Sequence, residues 1–354
     1  MDNADIDYSQ INKVIIFFGK NKNHPRELFF YEQLKKFNYT IIYVNNNKNL
    51  ILRSLSLIKI FFYKFNLIFI SWPGLSDIFF IKILAILKKK KIIYDSFTLN
   101  YEDYLDNYSQ NVNLFKKNYY YTLEKFSLNL ADIIITDTNQ HKKILKEEFN
   151  LKNVSTIYIN EKKLFIKKKL RKLDRIDIIF AGAFRNLHGI EKIIRSFKII
   201  NLYNKKIYLT LVGSDYSDKY KNIAKKNMVK NIYFFPRLKY KQMINKIENS
   251  DICLGIFGES QKSQNVITHF LAIASRLNKI IVTQNTCAVK EVFKSNGNCF
   301  LINKPITINL AKIILLIAKN IELIKMKNSS KLTFDNFFNS NKQSEKFKDI
   351  ILNI

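Results

Sequence analysis

Glycine is scarce in this chain of 354 residues: there are 8, where average usage of roughly 7% would give about 25. A glycine kept against that bias is expected to have a backbone job. Six of the eight (Gly182, Gly189, Gly213, Gly255, Gly258, Gly297) fall in the C-terminal half. The three cysteines, Cys253, Cys287 and Cys299, have no metal-ligand spacing and form no even set, which argues against a disulfide framework and for a reducing compartment. They read as small core residues. A clean apolar run of the ~20 residues a membrane span needs is also missing. The greasiest stretches, 50–70 and 306–324, are broken by Arg53, Lys59 and Lys64 and by Lys312, Lys319 and Glu322. The first residues, MDNADIDYSQINK, are acidic and polar, so no export signal is expected.

Acidic residues are in short supply too: 29 Asp and Glu stand against 59 Lys and Arg, a formal net charge of +30. Such a balance attracts phosphate-rich partners at long range, whether or not a specific site exists. Lys, Ile, Asn, Phe and Tyr are over-used together, as an AT-rich genome would also produce, and that bias takes the larger share of the excess. A nucleic-acid-binding reading rests on charge alone, since no helix-turn-helix, zinc finger or stacked aromatic motif supports it. No specific nucleic-acid partner is expected.

What the chain does have is alternation. Apolar runs at 13–18, 40–44, 67–71, 91–94 and 132–136 are separated by helical patterns, the first of them over 28–37. After a Lys-rich bridge at 162–175 the alternation restarts at Ile176, with runs at 207–212, 232–235, 252–256 and 279–283. Repeated β-α alternation predicts parallel sheets covered on both faces, and two restarts predict two such domains hinged near the bridge. Ile190, Ile193, Ile194, Phe197 and Ile200 form one stripe at 3.6-residue spacing, the core face of a helix. Two units, 177–200 and 251–292, have a short apolar run, then Gly, then a polar loop opening a helix. That arrangement sets backbone N–H groups beside a phosphate, so a nucleotide-handling enzyme is the expectation.

Several ordered blocks carry a resemblance over nearly the whole chain. They are HPREL (24–28), DSFTLNYED (95–103), LADIIITDTNQHKKILKEEF (130–149), FAGAFRNLHGIEKII (180–194), DICLGIFGESQKSQNVI (251–267), AVKEVF (288–293) and NGNCFLI (296–302). Their order and spacing resemble the retaining GT-B glycosyltransferases, specifically the bacterial surface-polysaccharide branch. The resemblance implies an α/β fold of two Rossmann-like domains with parallel sheets facing across a cleft. Residues 1–165 would receive the acceptor and 166–335 would hold the nucleotide sugar. Residues 336–354 would return to the N-terminal domain, with a helix expected over 344–354. It further implies catalysis without metal or cofactor, a UDP- or GDP-sugar serving as substrate, with positive groups and helix N-termini on the leaving diphosphate.

The chain departs from that pattern at informative places. Relatives commonly carry two carboxylates eight positions apart in the second unit, the latter on the donor ribose; Asn265 and Ile273 stand there. The Arg and Lys that many relatives use on the diphosphate are replaced as well. The first loop reads Phe184-Arg185-Asn186-Leu187-His188, and the frequent Asn-Lys pair of the second is His269-Phe270. These losses admit an alternative to an enzyme: a catalytically impaired GT-B protein that binds or assembles with others in the same pathway.

For the donor site the candidates are Gly182, Arg185, His188, Gly189, Gly258, Glu259, Lys262 and Thr268. Gly182 and Gly189 let a phosphate approach, or serve a tight turn and a helix start. Arg185 has the fork that suits a diphosphate, or is an exposed arginine. His188 donates to phosphate, or caps a helix. Lys262 is the better cation, while Glu259 lines the nucleotide or is a solvated loop residue. Asp95, Asp137 and His141 follow strands, where open α/β sheets put ligand contacts, and form the candidate catalytic set. A retaining mechanism can pass the acceptor proton to the leaving phosphate, so these three orient the acceptor instead of acting as a base; a helix-surface histidine is the other reading of His141. Gly19, His24 and Arg26 are candidates for acceptor contact, with capping and surface solvation competing.

An anionic membrane surface is a further candidate partner. A basic amphipathic helix over 50–64 and the apolar run 79–87, which ends in four lysines, suit a headgroup boundary. Covering the sheet is the competing role and is expected to take most of those apolar residues. The reading that follows is a cytoplasmic transferase, peripheral on the inner membrane face, moving sugar from a nucleotide-sugar donor to a glycan or lipid-linked acceptor.

Overall fold

Segments such as VIIFFG (14–19) and IDIIFA (176–181) are apolar on both faces, which suits strands buried inside a parallel sheet with helices on each side. The computed structural model describes residues 13–22, 24–45, 58–108, 111–162, 175–214, 218–295 and 299–354. In it the chain builds two six-stranded sheets. The first comprises β1 (Val14–Gly19), β2 (Thr40–Asn45), β3 (Leu67–Ile70), β4 (Lys91–Ser96), β5 (Ile133–Thr136) and β6 (Val154–Thr156), in the order β2-β1-β3-β4-β5-β6. The second comprises β7 (Ile176–Ala181), β8 (Ile207–Val212), β9 (Ile232–Phe235), β10 (Ile252–Leu254), β11 (Ile280–Gln284) and β12 (Phe300–Ile302), in the order β12-β11-β10-β7-β8-β9. Every neighbouring pair is parallel.

The helices of the first domain are α1 (Pro25–Lys36), α2 (Ile78–Lys88), α3 (Asn100–Asn107), α4 (Leu114–Asn129) and α5 (Asn139–Glu147). In the second half they are α6 (Ile190–Tyr203), α7 (Lys219–Lys226), α8 (Tyr240–Glu248), α9 (Gln261–Asn265), α10 (His269–Arg276), α11 (Ile306–Lys319), α12 (Ile321–Lys327), α13 (Ser330–Thr333) and α14 (Ser340–Leu352). Successive strand residues point to opposite faces, so each sheet feeds two cores. In the first, Ile16, Phe18, Ile68 and Ile70 pack with Ile81 and Leu84 of α2, while Ile15, Phe17 and Phe69 pack with Phe29, Phe30 and Leu34 of α1. In the second, the predicted stripe of α6 meets Leu310, Ile314 and Ile317 of α11. Ile179, Cys253 and Ile281 meet Leu271–Ala274 of α10 on the other face.

Helix α1 begins at Pro25, three residues before the sequence pattern suggests, because proline's fixed φ suits the first helical turn. Strands β6 and β12 have three residues each, too short for a periodicity to register. The final helix starts at Ser340, and its Phe347 and Ile351 join the Phe17–Phe30 core of the first domain. The hinge expected within 162–175 lies almost wholly outside the described residues, as do most of the 50–64 helix and Gly297.

Strand order places the site before any side chain is considered. An open sheet offers a ligand crevice beyond the C-terminal ends of the strands where the order reverses. In the first sheet that point lies between β1 and β3, beside Gly19. In the second it lies between β7 and β10, whose following residues are Gly182 and Gly255.

Candidate functional site

The two glycine loops of the second domain touch each other backbone to backbone. Gly258 N–H donates to the Leu187 carbonyl at 2.9 Å and Phe257 N–H to that of His188 at 3.2 Å. Gly189 sits at φ +62°, in the left-handed region, and a Cβ there would lie 2.5 Å from the Phe257 carbonyl carbon. A Cβ on Gly258 would run into the Leu187 and Asn186 carbonyls. The close approach these glycines permit is therefore loop to loop. Gly182, at the end of β7, faces Phe180 and His188.

His188 is buried, and its Nδ1 accepts the Arg185 N–H at 3.3 Å across a single 3₁₀ turn, Asn186–His188. Burial lowers its pKa to about 4, so it stays neutral and fixes the loop from inside. It closes a capping box on that short turn from its third position and presents no charge to solvent. Glu259 is half exposed, with Lys192 2.8 Å away and Lys304 at 3.7 Å; the Lys192 hydrogen bond holds its carboxyl below the usual value. Thr268 precedes α10 and makes no side-chain cap bond.

Lys262 and Arg185 converge. Lys262 is buried on α9, where its Nζ donates to Thr98 Oγ1 at 2.7 Å and makes a short bond to Asp103 Oδ1. Arg185 Nη1 reaches the same Asp103 oxygen at 3.1 Å. Asn186 Nδ2 donates to the Asp106 carbonyl at 2.6 Å. Helix α3 of the first domain thus sits directly on the loops expected to hold a donor.

Behind it lies a buried chain of charges. His141 is fully buried, with Nδ1 2.5 Å from Asp137 Oδ1 and Nε2 3.0 Å from Glu102 Oε2. Burial opposes a charge on the ring, but the two carboxylates overcome it and raise its pKa to about 10. It is an imidazolium bonded at both nitrogens, not a helix-surface histidine. Glu102 Oε1 in turn accepts from Asn265 Nδ2 of the second domain at 2.5 Å.

Arg26 and Asp95 are turned to one another. Arg26 Nε lies 2.8 Å and 3.0 Å from the two Asp95 oxygens, and its Nη1 and Nη2 donate to the carbonyls of Ile157 and Thr136 at 2.7 and 3.2 Å. With both residues buried, the pair ties α1 to β4 and β5; burial raises the Asp95 carboxyl even beside the guanidinium. Arg26 is therefore enclosed instead of offered to an acceptor. Gly19 is likewise buried, beneath Glu27, which accepts from the Lys20 and Asn21 N–H groups at 3.0 and 3.2 Å.

His24 alone of that trio is partly open, its ring 5.6 Å from Phe97 and 6.1 Å from Trp72. Sequence reasoning passed over the group nearby. Glu161 Oε1 lies 2.6 Å from His269 Nε2, and its Oε2 lies 2.7 Å from Arg276 Nη1 and 2.7 Å from Tyr240 Oη. Burial works against that carboxylate, yet His269, Tyr240 and Arg276 hold it below its ordinary value. His269 was visible only as a departure from the family pattern.

Ile273, at the position of the ribose-binding carboxylate, has no access to a ligand. It is fully buried in the core beneath α10 with Ile179, Cys253 and Phe293.

Comparison with known proteins agrees with this fold. Residues 161–331 match the family described as "Glycosyl transferases group 1". Sucrose-phosphate synthase from Thermosynechococcus elongatus is similar in structure with a TM-score of 0.75 at 11% identity, covering 97% of this chain and 99% of that one. A glycosyltransferase from Rickettsia africae gives 0.69 at 13% identity over 96% and 97% of the two chains. Anabaena HepE in complex with UDP-glucose gives 0.71 at 12% identity over 96% and 100%. No curated protein matches by sequence. Residues 161–331 are thus similar to the group 1 glycosyl transferases, and the chain as a whole has the GT-B glycosyltransferase fold.

Proposed function

We propose that this chain moves a sugar, with retention, from a UDP- or GDP-linked donor to a glycan or lipid-linked acceptor that grows into a surface polysaccharide. The observation that carries the donor half is the convergence of Lys262 and Arg185, from the two switch-point loops, on a single carboxylate oxygen. That oxygen marks a place where two cations already meet an anion, as a departing diphosphate requires. In the transfer the bond from the anomeric carbon to the phosphate breaks and one to the acceptor oxygen forms. The acceptor proton passes to the departing phosphate, with no protein base needed. His24 and the turn after Gly19 line the acceptor side, while Asp95, Asp137 and His141 act from behind as positioning groups. Lys262→Ala should weaken UDP or GDP binding by about 1.5–3 kcal/mol, the range for a charge-assisted bond. Unchanged affinity by calorimetry would remove Lys262 from the site.

The acceptor half is proposed to work at a membrane surface from the cytoplasmic side. No helix among the described residues is long and apolar enough to cross one. Helix α2 buries Ile78, Ile81, Leu84 and Ala85 against the sheet. It leaves Phe79, Phe80, Ile83, Ile86 and Leu87 exposed, so sheet cover takes fewer of its apolar residues than the sequence suggested. The Phe79 ring is continued by exposed Phe126 of α4, 6.1 Å away, and Lys88 to Lys91 flank the face. Such a basic-rimmed apolar face suits an anionic headgroup layer.

A second reading, the catalytically impaired binding partner, is favoured by one observation: Ile273 is core and Asn265 is spent on Glu102, so neither replaces the missing carboxylates. A thermal-shift screen against nucleotide sugars separates the two, since only an intact donor site is stabilised.

A further inference from the structure

Asp103 is a carboxylate in the place of a ligand. Its Oδ1 takes both Lys262 Nζ and Arg185 Nη1, and its Oδ2 lies 3.4 Å from Thr98 Oγ1. Both described side-chain partners of Lys262, Thr98 and Asp103, belong to the first domain. The ammonium is thus committed across the cleft. We infer that α3 carries an internal competitor for the donor diphosphate: Asp103 holds the two cations until a donor displaces it. This rests on the reading that Lys262 and Arg185 hold that diphosphate.

Three further contacts keep the competitor in place. Asn186 Nδ2 grips the Asp106 carbonyl one turn further along α3, and Asn265 grips Glu102, the neighbour of Asp103. Thr138 Oγ1 donates to the Asn265 carbonyl at 2.8 Å. Asp103 is therefore held within reach of both cations by its backbone as well as by its own carboxylate. Its release gives up one bond from α3 to α9, at Lys262, and one to the loop after β7, at Arg185. A diphosphate wins the exchange because it brings more charge and more acceptor oxygens than one carboxylate. Donor affinity is then reduced by the fraction of molecules in which Asp103 has let go. The same exchange reports donor arrival to the acceptor-side domain, since α3 belongs to it.

The test is titration calorimetry of the full chain with pyrophosphate and with UDP, on wild type, Asp103→Asn, Asp103→Ser and Lys262→Ala. Circular dichroism melts would confirm that each variant is folded. Removing the competitor should tighten both ligands by about tenfold, the scale of one charge-assisted contact. Lys262→Ala should weaken both. If Lys262→Ala weakens binding while the two Asp103 variants bind no tighter than wild type, the competitor is refuted and the donor reading survives. If Lys262→Ala changes nothing, the donor reading itself fails, and the competitor falls with it.

Discussion

Asn265 Nδ2 lies 2.5 Å from Glu102 Oε1, and the backbone carbonyl of the same asparagine accepts from Thr138 Oγ1 at 2.8 Å. One residue of the second domain is thus held at both ends by the first. At the first of the two positions where the family pattern has a carboxylate, this chain spends an amide on its own partner domain. Asn265 continues a buried line through Glu102 and His141 to Asp137, so the charges of the first domain are anchored in the second.

Removing the imidazolium from that line should be costly. His141→Ala leaves Asp137 and Glu102 facing each other in a buried site, a loss of about 3–5 kcal/mol. The pH dependence follows from a folded pKa of about 10 against 6.5 for the free ring. The stabilisation is complete below pH 6.5 and fades as pH rises through 10. Urea unfolding at pH 6, 8 and 10 should show wild type and His141→Ala converging toward the alkaline end; parallel curves would contradict the charge assignment.

His188 works in the opposite sense. Its folded pKa of about 4 lies below the free value, so its neutral form stabilises the fold above pH 6.5 and that contribution is lost as pH falls toward 4. His188→Asn keeps an acceptor for the Arg185 N–H without titrating. Acid unfolding followed by fluorescence should therefore be steeper between pH 6.5 and 4 in wild type than in the variant. Equal slopes would mean the ring is already charged in the native loop.

Restoring the missing carboxylate should fail. Ile273→Glu buries an unpaired acid among Ile179, Cys253 and Phe293, at a cost of at least about 3 kcal/mol, instead of reaching a ribose. A drop in melting temperature with no gain in nucleotide affinity is expected. Tighter binding in that variant would show that α10 rotates in solution.

The membrane face can be tested apart from the chemistry. Phe80 and Leu87, 61% and 64% exposed, make no contribution to the sheet, so Phe80→Ser with Leu87→Ser should leave the melting temperature unchanged. Flotation with vesicles containing phosphatidylglycerol should fall several-fold, and wild type should ignore neutral vesicles. Equal flotation of wild type and variant would exclude α2 as the contact.

Much of the architecture is legible in local pattern. The alternation of apolar runs gives both sheets, and the rare glycines mark the loops at the second switch point. What those glycines do is not legible: Gly189 and Gly258 face each other, and no spacing rule records a contact between two loops about seventy residues apart in sequence. The same limit hid Glu102 and Asp103. They stand inside a block that carries the resemblance, yet their partners Asn265 and Lys262 lie 163 and 159 residues further on. Charge alone misled in the other direction, since Arg26 and Asp95, expected beside an acceptor, spend themselves on each other.

Helix α14 sets Phe347 against Phe30 and Phe69 at ring distances of 4.9 and 6.0 Å, while Ser344 donates to Gln33 and Gln343 accepts from the Tyr158 N–H. The first domain therefore lacks part of its core until residues 340–352 are in place. Without that helix the aromatic socket formed by Phe30 and Phe69 on the first sheet would stay unfilled. Because α14 follows the second sheet in chain order, the first domain is completed only after the second has been made.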